Sequence, residues 1–108
     1  MTLDLASFGR AISSARKLKQ LSQKELSALI RKEDGEPITP QYLNDIEHDR
    51  RSPSSDHIVK QFASVLGIHP DVLYWLAGRV PGDVTQKKAS EVQIERAFTA
   101  FRKALKDK

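Results

Sequence analysis

The sequence of 108 residues contains no cysteine. That excludes a disulfide framework and any thiolate nucleophile or metal ligand, and it fits a cytoplasmic protein. No apolar run is long enough to span a bilayer, and the N-terminus lacks a basic segment followed by an apolar stretch, so neither a membrane span nor a signal peptide is expected. Also missing are a glycine-rich phosphate loop and a Ser/His/Asp or Cys/His grouping in motif context. No pair of acids is flanked by apolar residues in a way that would raise a carboxyl pKa. The chain therefore does not read as an enzyme, and no cofactor is expected. The three histidines, His48, His57 and His69, are too scattered for the spacings of a metal site, so no metal is expected either.

Charge of one sign is also scarce where it would matter most. The formal net charge is +4, but residues 1–78 hold ten Lys/Arg and ten Asp/Glu and are neutral overall. Residues 79–108 supply the whole excess, with eight Lys/Arg against four Asp/Glu. Local placement is then more informative than the total. Arg10, Arg16, Lys17, Lys19 and Lys24 cluster at one end, Arg50 and Arg51 form a second group, and Glu33, Asp34 and Glu36 lie between them.

What is present is a succession of short amphipathic helices. Hydrophobic residues make up 39% of the chain, enough for one modest core. Phe8, Ala11, Ile12 and Ala15 put one apolar face on a helix over about Leu5 to Lys19. Leu21 plugs the gap to the next helix. Ser22-Gln23-Lys24-Glu25 has the form of a capping box, opening a helix to about Arg31 with Leu26, Leu29 and Ile30 inward. Asp34-Gly35 and Pro37 then interrupt the helical pattern. Ser52-Pro53-Ser54-Ser55 starts a helix that carries Ile58, Phe62, Ala63 and Leu66 and ends at Gly67. His69-Pro70 opens a fifth, with Val72, Leu73, Trp75 and Leu76, closed by Gly78; Trp75 and Phe62 are expected to anchor the core. Five helices over residues 5–78 make an all-α domain.

Residues 79–89 read as a linker. Residues 90–106 follow as an amphipathic helix, with Ile94, Phe98, Phe101 and Leu105 on one narrow seam. That seam either folds back on its own domain or pairs with a second subunit, and dimerisation is expected.

The organising stretch is residues 39–53. Thr39-Pro40 starts a short helix in which Leu43 and Ile46 are the only aliphatic side chains. Gln41, Tyr42, Asn44, Asp45 and His48 are left outward, side chains suited to hydrogen-bonding base edges. Arg50 and Arg51 sit just beyond, where they can hold phosphates.

These residues resemble the lambda-repressor-like, Cro/repressor-type (XRE) helix-turn-helix regulators of bacteria and phages. The resemblance is carried by Phe8-Gly9 with Ile12 and Arg16, by Leu21 to Leu26, by Thr39 to Glu47, by Arg50-Arg51-Ser52-Pro53, by Phe62-Ala63 and Leu66-Gly67-Ile68, and by Leu76-Ala77-Gly78-Arg79. It covers about residues 5–80 and rests on their order and spacing together. It implies a five-helix domain that binds double-stranded DNA as a homodimer on a palindromic operator, most simply as a repressor. Gln23, with Ser22 and Lys24 beside it, matches the family's phosphate contact. Gln41, Tyr42, Asn44 and Asp45 match its base-facing positions, with Thr39, His48, Arg50 and Arg51 completing the DNA-facing set. Arg16 and Glu47 match a partly buried salt bridge. The same fold also serves antitoxins and protein-interaction modules, in which the C-terminal helix would contact a partner protein.

Two departures stand out. About six residues are inserted at Arg31 to Pro37, either looping away or extending helix two. Pro40 also replaces a polar side chain, which shifts readout to Gln41 and beyond.

Overall fold

Five helices in succession begin on a side chain that accepts an N–H from their own first turn. Ser7 accepts from Arg10, Ser22 from Glu25, Thr39 from Tyr42, Ser55 from Ile58 and His69 from Asp71. Each such cap satisfies one of the donors that a helix start leaves orphaned. In the computed structural model, which describes residues 3–106, the elements are α1 (Phe8–Leu18), α2 (Gln23–Leu29), α3 (Pro40–Glu47), α4 (Asp56–Leu66), α5 (Pro70–Ala77), α6 (Gly82–Thr85) and α7 (Glu91–Lys106). Among the described residues the single β pairing is an isolated bridge between Arg31 and Pro37.

The apolar faces of α1 to α5 close on one core. Ile12, Leu26, Ile30, Leu43, Ile46, Ile58, Val59, Phe62 and Leu73 are fully enclosed there, and Phe8 meets Phe62 edge-on at 6.1 Å. Helices α1 and α3 touch backbone to backbone at Gly9. A Cβ there would run into the Ile46 carbonyl and stand 2.6 Å from that of Glu47, so no other residue fits without moving a helix. Asp49, just past α3, fastens the same junction. Its φ of 57° lies in the left-handed region, and its carboxylate accepts the Ser7 hydroxyl at 2.6 Å and the Gly9 N–H at 2.9 Å. Aspartate is one of the few residues that visit this conformation at small cost.

Helix two stops earlier than its sequence suggests. It ends at Leu29, and Ile30 is already extended. Residues 31–37 form a tight hairpin in which Lys32 N–H donates to the Glu36 carbonyl at 2.8 Å and Gly35 N–H to the Lys32 carbonyl at 2.9 Å. Gly35 takes φ 88°, which the turn requires. Gln61 of α4 accepts the Arg31 N–H at 3.0 Å, and Ile38 N–H returns to the Ile30 carbonyl at 2.9 Å. These bonds compete with one more turn of α2 and win, so the insertion loops out and does not lengthen the helix. Leu29, expected inward, is the last residue of α2 and is exposed, while Ile30 beyond it is buried.

Trp75 is the second correction. It is 60% exposed, because Leu73 and Tyr74 take the buried side of α5 and the Phe8–Phe62 pair already fills the centre. Its ring instead meets Phe101 of α7 at 5.4 Å. Helix α7 has no buried residue, and Ile94, Phe98, Phe101 and Leu105 all remain exposed. The Cα radius of gyration is 15.4 Å, against about 13 Å for a compact chain of this length. The stretch between α5 and α7 is docked at its start. Arg79 pairs with Asp56 at 2.8 Å, and Gly82 at the head of α6 packs against the same carboxylate.

Candidate nucleic-acid interface

The site is built outward from a buried ion pair. Arg16 of α1 grips Glu47, the last residue of α3, through two donors: Nε to Oε2 at 2.6 Å and Nη2 to Oε1 at 2.9 Å. The side chains are 12% and 3% exposed. The third arm of Arg16, Nη1, donates to the Leu21 carbonyl at 2.9 Å and ties down the link between α1 and α2. A bidentate guanidinium–carboxylate pair of this kind contributes orientation more than net stability.

From Glu47 a polar relay runs to the surface. Gln23, the first residue of α2, donates Nε2 to Glu47 Oε1 at 3.0 Å. Asn44 donates Nδ2 to Gln23 Oε1 at 3.4 Å, the longest link of the set. Arg50 then donates Nη2 to Asn44 Oδ1 at 2.7 Å and Nε to Asp45 Oδ1 at 3.2 Å, and Gln41 donates to the same Asp45 oxygen at 3.0 Å. The directions of the Gln23 and Asn44 amides follow from the buried end. An ionised carboxylate only accepts, so Gln23 must turn its NH2 toward Glu47 and its carbonyl toward Asn44. Asn44 must in turn offer its carbonyl to Arg50. The buried pair thus sets which end of the Asn44 amide faces Arg50.

A second group lies at the other side of α3. The Tyr42 hydroxyl accepts the Ser54 N–H at 3.0 Å, and the Arg51 guanidinium stacks over the Tyr42 ring at 5.0 Å. Lys32, Thr39, Tyr42, Arg51 and Ser54 line a shallow cleft of about 240 Å³ floored by Ile38 and Ile58. Neither Lys32 nor Arg51 has an ion-pair partner among the described residues.

The residues singled out from sequence therefore divide by position. Gln23, Gln41, Asn44, Asp45 and Arg50 are joined in one network, while Tyr42 and Arg51 form another. Thr39 is occupied in capping α3, and Ser22 in the capping box of α2, where the Ser22 N–H donates to Glu25 at 2.8 Å. That backbone bond, with the Ser22 side chain, lowers the Glu25 pKa from its ordinary value. Lys24 is exposed with no partner in either network, and His48 packs Nδ1 against the Asn44 carbonyl at 2.9 Å. Sequence reasoning missed two supporting residues, Asp49 and Gln61. Nothing local marks them, since their partners lie 40 and 30 positions away.

The family model described as helix-turn-helix matches residues 12–73, from within α1 through α4 to the first half of α5. No curated protein and no solved structure matches the chain.

Proposed function

We propose, from the premise that this chain belongs to the Cro/C1-type helix-turn-helix family, that it binds a palindromic operator as a homodimer and represses transcription from it. Membership makes it a DNA-binding helix-turn-helix regulator. The observation that carries the finer reading is the oriented polar face of α3, held to α1 and α2 through Glu47 and Gln23. In this reading α3 enters the major groove, with Gln41, Asn44 and Asp45 toward base edges. Lys24, Arg51 and the start of α2 with Ser22 and Gln23 take phosphates, which set register without carrying sequence information. Tyr42, Thr39 and His48 stand at the margins of the contact.

The two-fold contact is assigned to α7 and α5. Ile94, Phe98, Phe101, Leu105 and Trp75 are all exposed and lie on consecutive parts of one apolar surface, joined where Trp75 meets Phe101. Half-exposed side chains of this size leave on the order of 400–500 Å² per chain, more than half of the ~800 Å² per partner in a standard interface. The aliphatic stem of Arg102, whose guanidinium lies over the Phe98 ring at 5.8 Å, extends it. The same exposed stripe favours one other reading, an antitoxin-like module whose α7 binds a different protein. The oligomeric state of the purified chain separates the two.

Selection from random duplex DNA tests the proposal. An enriched palindrome with half-sites about one helical turn apart, 10–10.5 bp, supports a dimeric operator binder. Recovery of unrelated sequences would overturn it.

A further inference from the structure

Arg50 follows α3 and at first sight is one more phosphate ligand. Its geometry is unlike that of a free surface arginine. The guanidinium is laid back across the outer face of α3, with Nε on Asp45 and Nη2 on Asn44. These two bonds occupy one edge of the fork and one of the two hydrogens on Nη2. What remains is the end of the group, where one hydrogen of Nη1 and one of Nη2 lie parallel, the second Nη1 hydrogen turning back toward the side chain's own Cδ. The side chain is still 56% exposed. An arginine whose near edge is clamped by a carboxylate and an amide has already lost much of its rotational freedom, so less is lost when the free edge makes its bonds.

We infer that Arg50 is a specificity-determining residue that reads a guanine in the major groove, with Asp45 and Asn44 as its positioning residues. This rests on the reading of α3 as the DNA-recognition helix. Guanine is the base that offers two adjacent acceptors there, O6 and N7. Adenine places a donor beside its N7 and would oppose a fork that has only donors. The relay from Glu47 sets this selectivity, because it turns the Asn44 carbonyl, and not its NH2, toward Arg50. Asp45 then serves as the clamp of a base-reading arginine.

The test uses the full chain and a duplex enriched by selection, with each G·C pair of the half-site changed in turn. Wild type is expected to lose roughly 10- to 100-fold in affinity at one particular G·C pair. Arg50→Ala should bind the parent duplex about as weakly as wild type binds that changed duplex, and should be indifferent to the change. Asp45→Ala, which frees the guanidinium, should blunt the same preference. Arg50 is at the surface, so these variants keep the fold, and helical circular dichroism verifies it. If Arg50→Ala weakens all duplexes equally and lowers the slope of log K against log salt by about 0.9, Arg50 is a phosphate contact and this inference fails while the recognition-helix reading stands. A wild-type chain with no sequence preference would overturn both.

Discussion

Replacing Glu47 with alanine should be among the most damaging single changes in the domain. Glu47 is 3% exposed, and its two oxygens receive three donors, two from Arg16 and one from Gln23. Removing it strands a guanidinium that is itself only 12% exposed. Breaking one side of a buried pair costs about 3–5 kcal/mol, because an uncompensated charge is left behind. That is a large part of the ~5–15 kcal/mol that holds a domain folded, and corresponds to a drop in Tm on the order of 15–30 °C. Urea unfolding of Glu47→Ala measures it directly. The double variant Arg16→Met/Glu47→Leu removes both charges and should recover most of the loss. Glu47→Gln keeps the shape but not the charge: whichever way the new amide turns, its NH2 meets a donor of Arg16, so this variant should also lower the urea midpoint. A loss below about 1 kcal/mol in Glu47→Ala would mean that the pair behaves as a solvated one, and the relay would lose its fixed end.

The remaining predictions concern the edges of the domain. Gly9→Ala places a Cβ against the Ile46 and Glu47 carbonyls and should destabilise by about 1–3 kcal/mol as α1 and α3 are pushed apart, read as a lower urea midpoint with unchanged m-value. The double variant Phe98→Ser/Phe101→Ser should convert a dimer to a monomer in sedimentation with the helical content of residues 5–78 intact; persistence of the dimer would assign the contact elsewhere. Glu25 has its pKa lowered by the Ser22 cap, so its contribution is full above the ordinary glutamate range and is lost as pH falls through the depressed value. The stability difference between wild type and Glu25→Ala should accordingly shrink in acid, and a difference that grew in acid would contradict the capping geometry.

Local chemistry made much of this fold legible. Ser22 and Glu25, Thr39 and Pro40, Gly67 and Gly78 mark helix ends through bonds to residues within a turn, so a linear reading finds them. Helix five shows where such a reading stops. Val72, Leu73, Trp75 and Leu76 surround an eight-residue helix with apolar groups, and periodicity does not say which side faces inward. Packing decides it: Leu73 and Tyr74 take the inward side, and the indole lies outside against Phe101. The hairpin at 31–37 depends on Gln61, a partner from α4 that the stretch itself does not announce. The interface was legible as a set of outward residues on α3, but not as a network. Residues 16, 23, 44, 47 and 50 come from three helices and a loop, and the orientation of two amides follows only once Glu47 is seen to be buried.

Affinity for the selected duplex and for a scrambled one, measured across a salt series, decides whether α3 reads DNA sequence. Both affinities should fall with salt as phosphate contacts are screened, while their ratio stays at about 10³ or more near physiological salt. A ratio that collapses toward one would mean that the chain holds DNA by charge alone and that the oriented face of α3 does not read it.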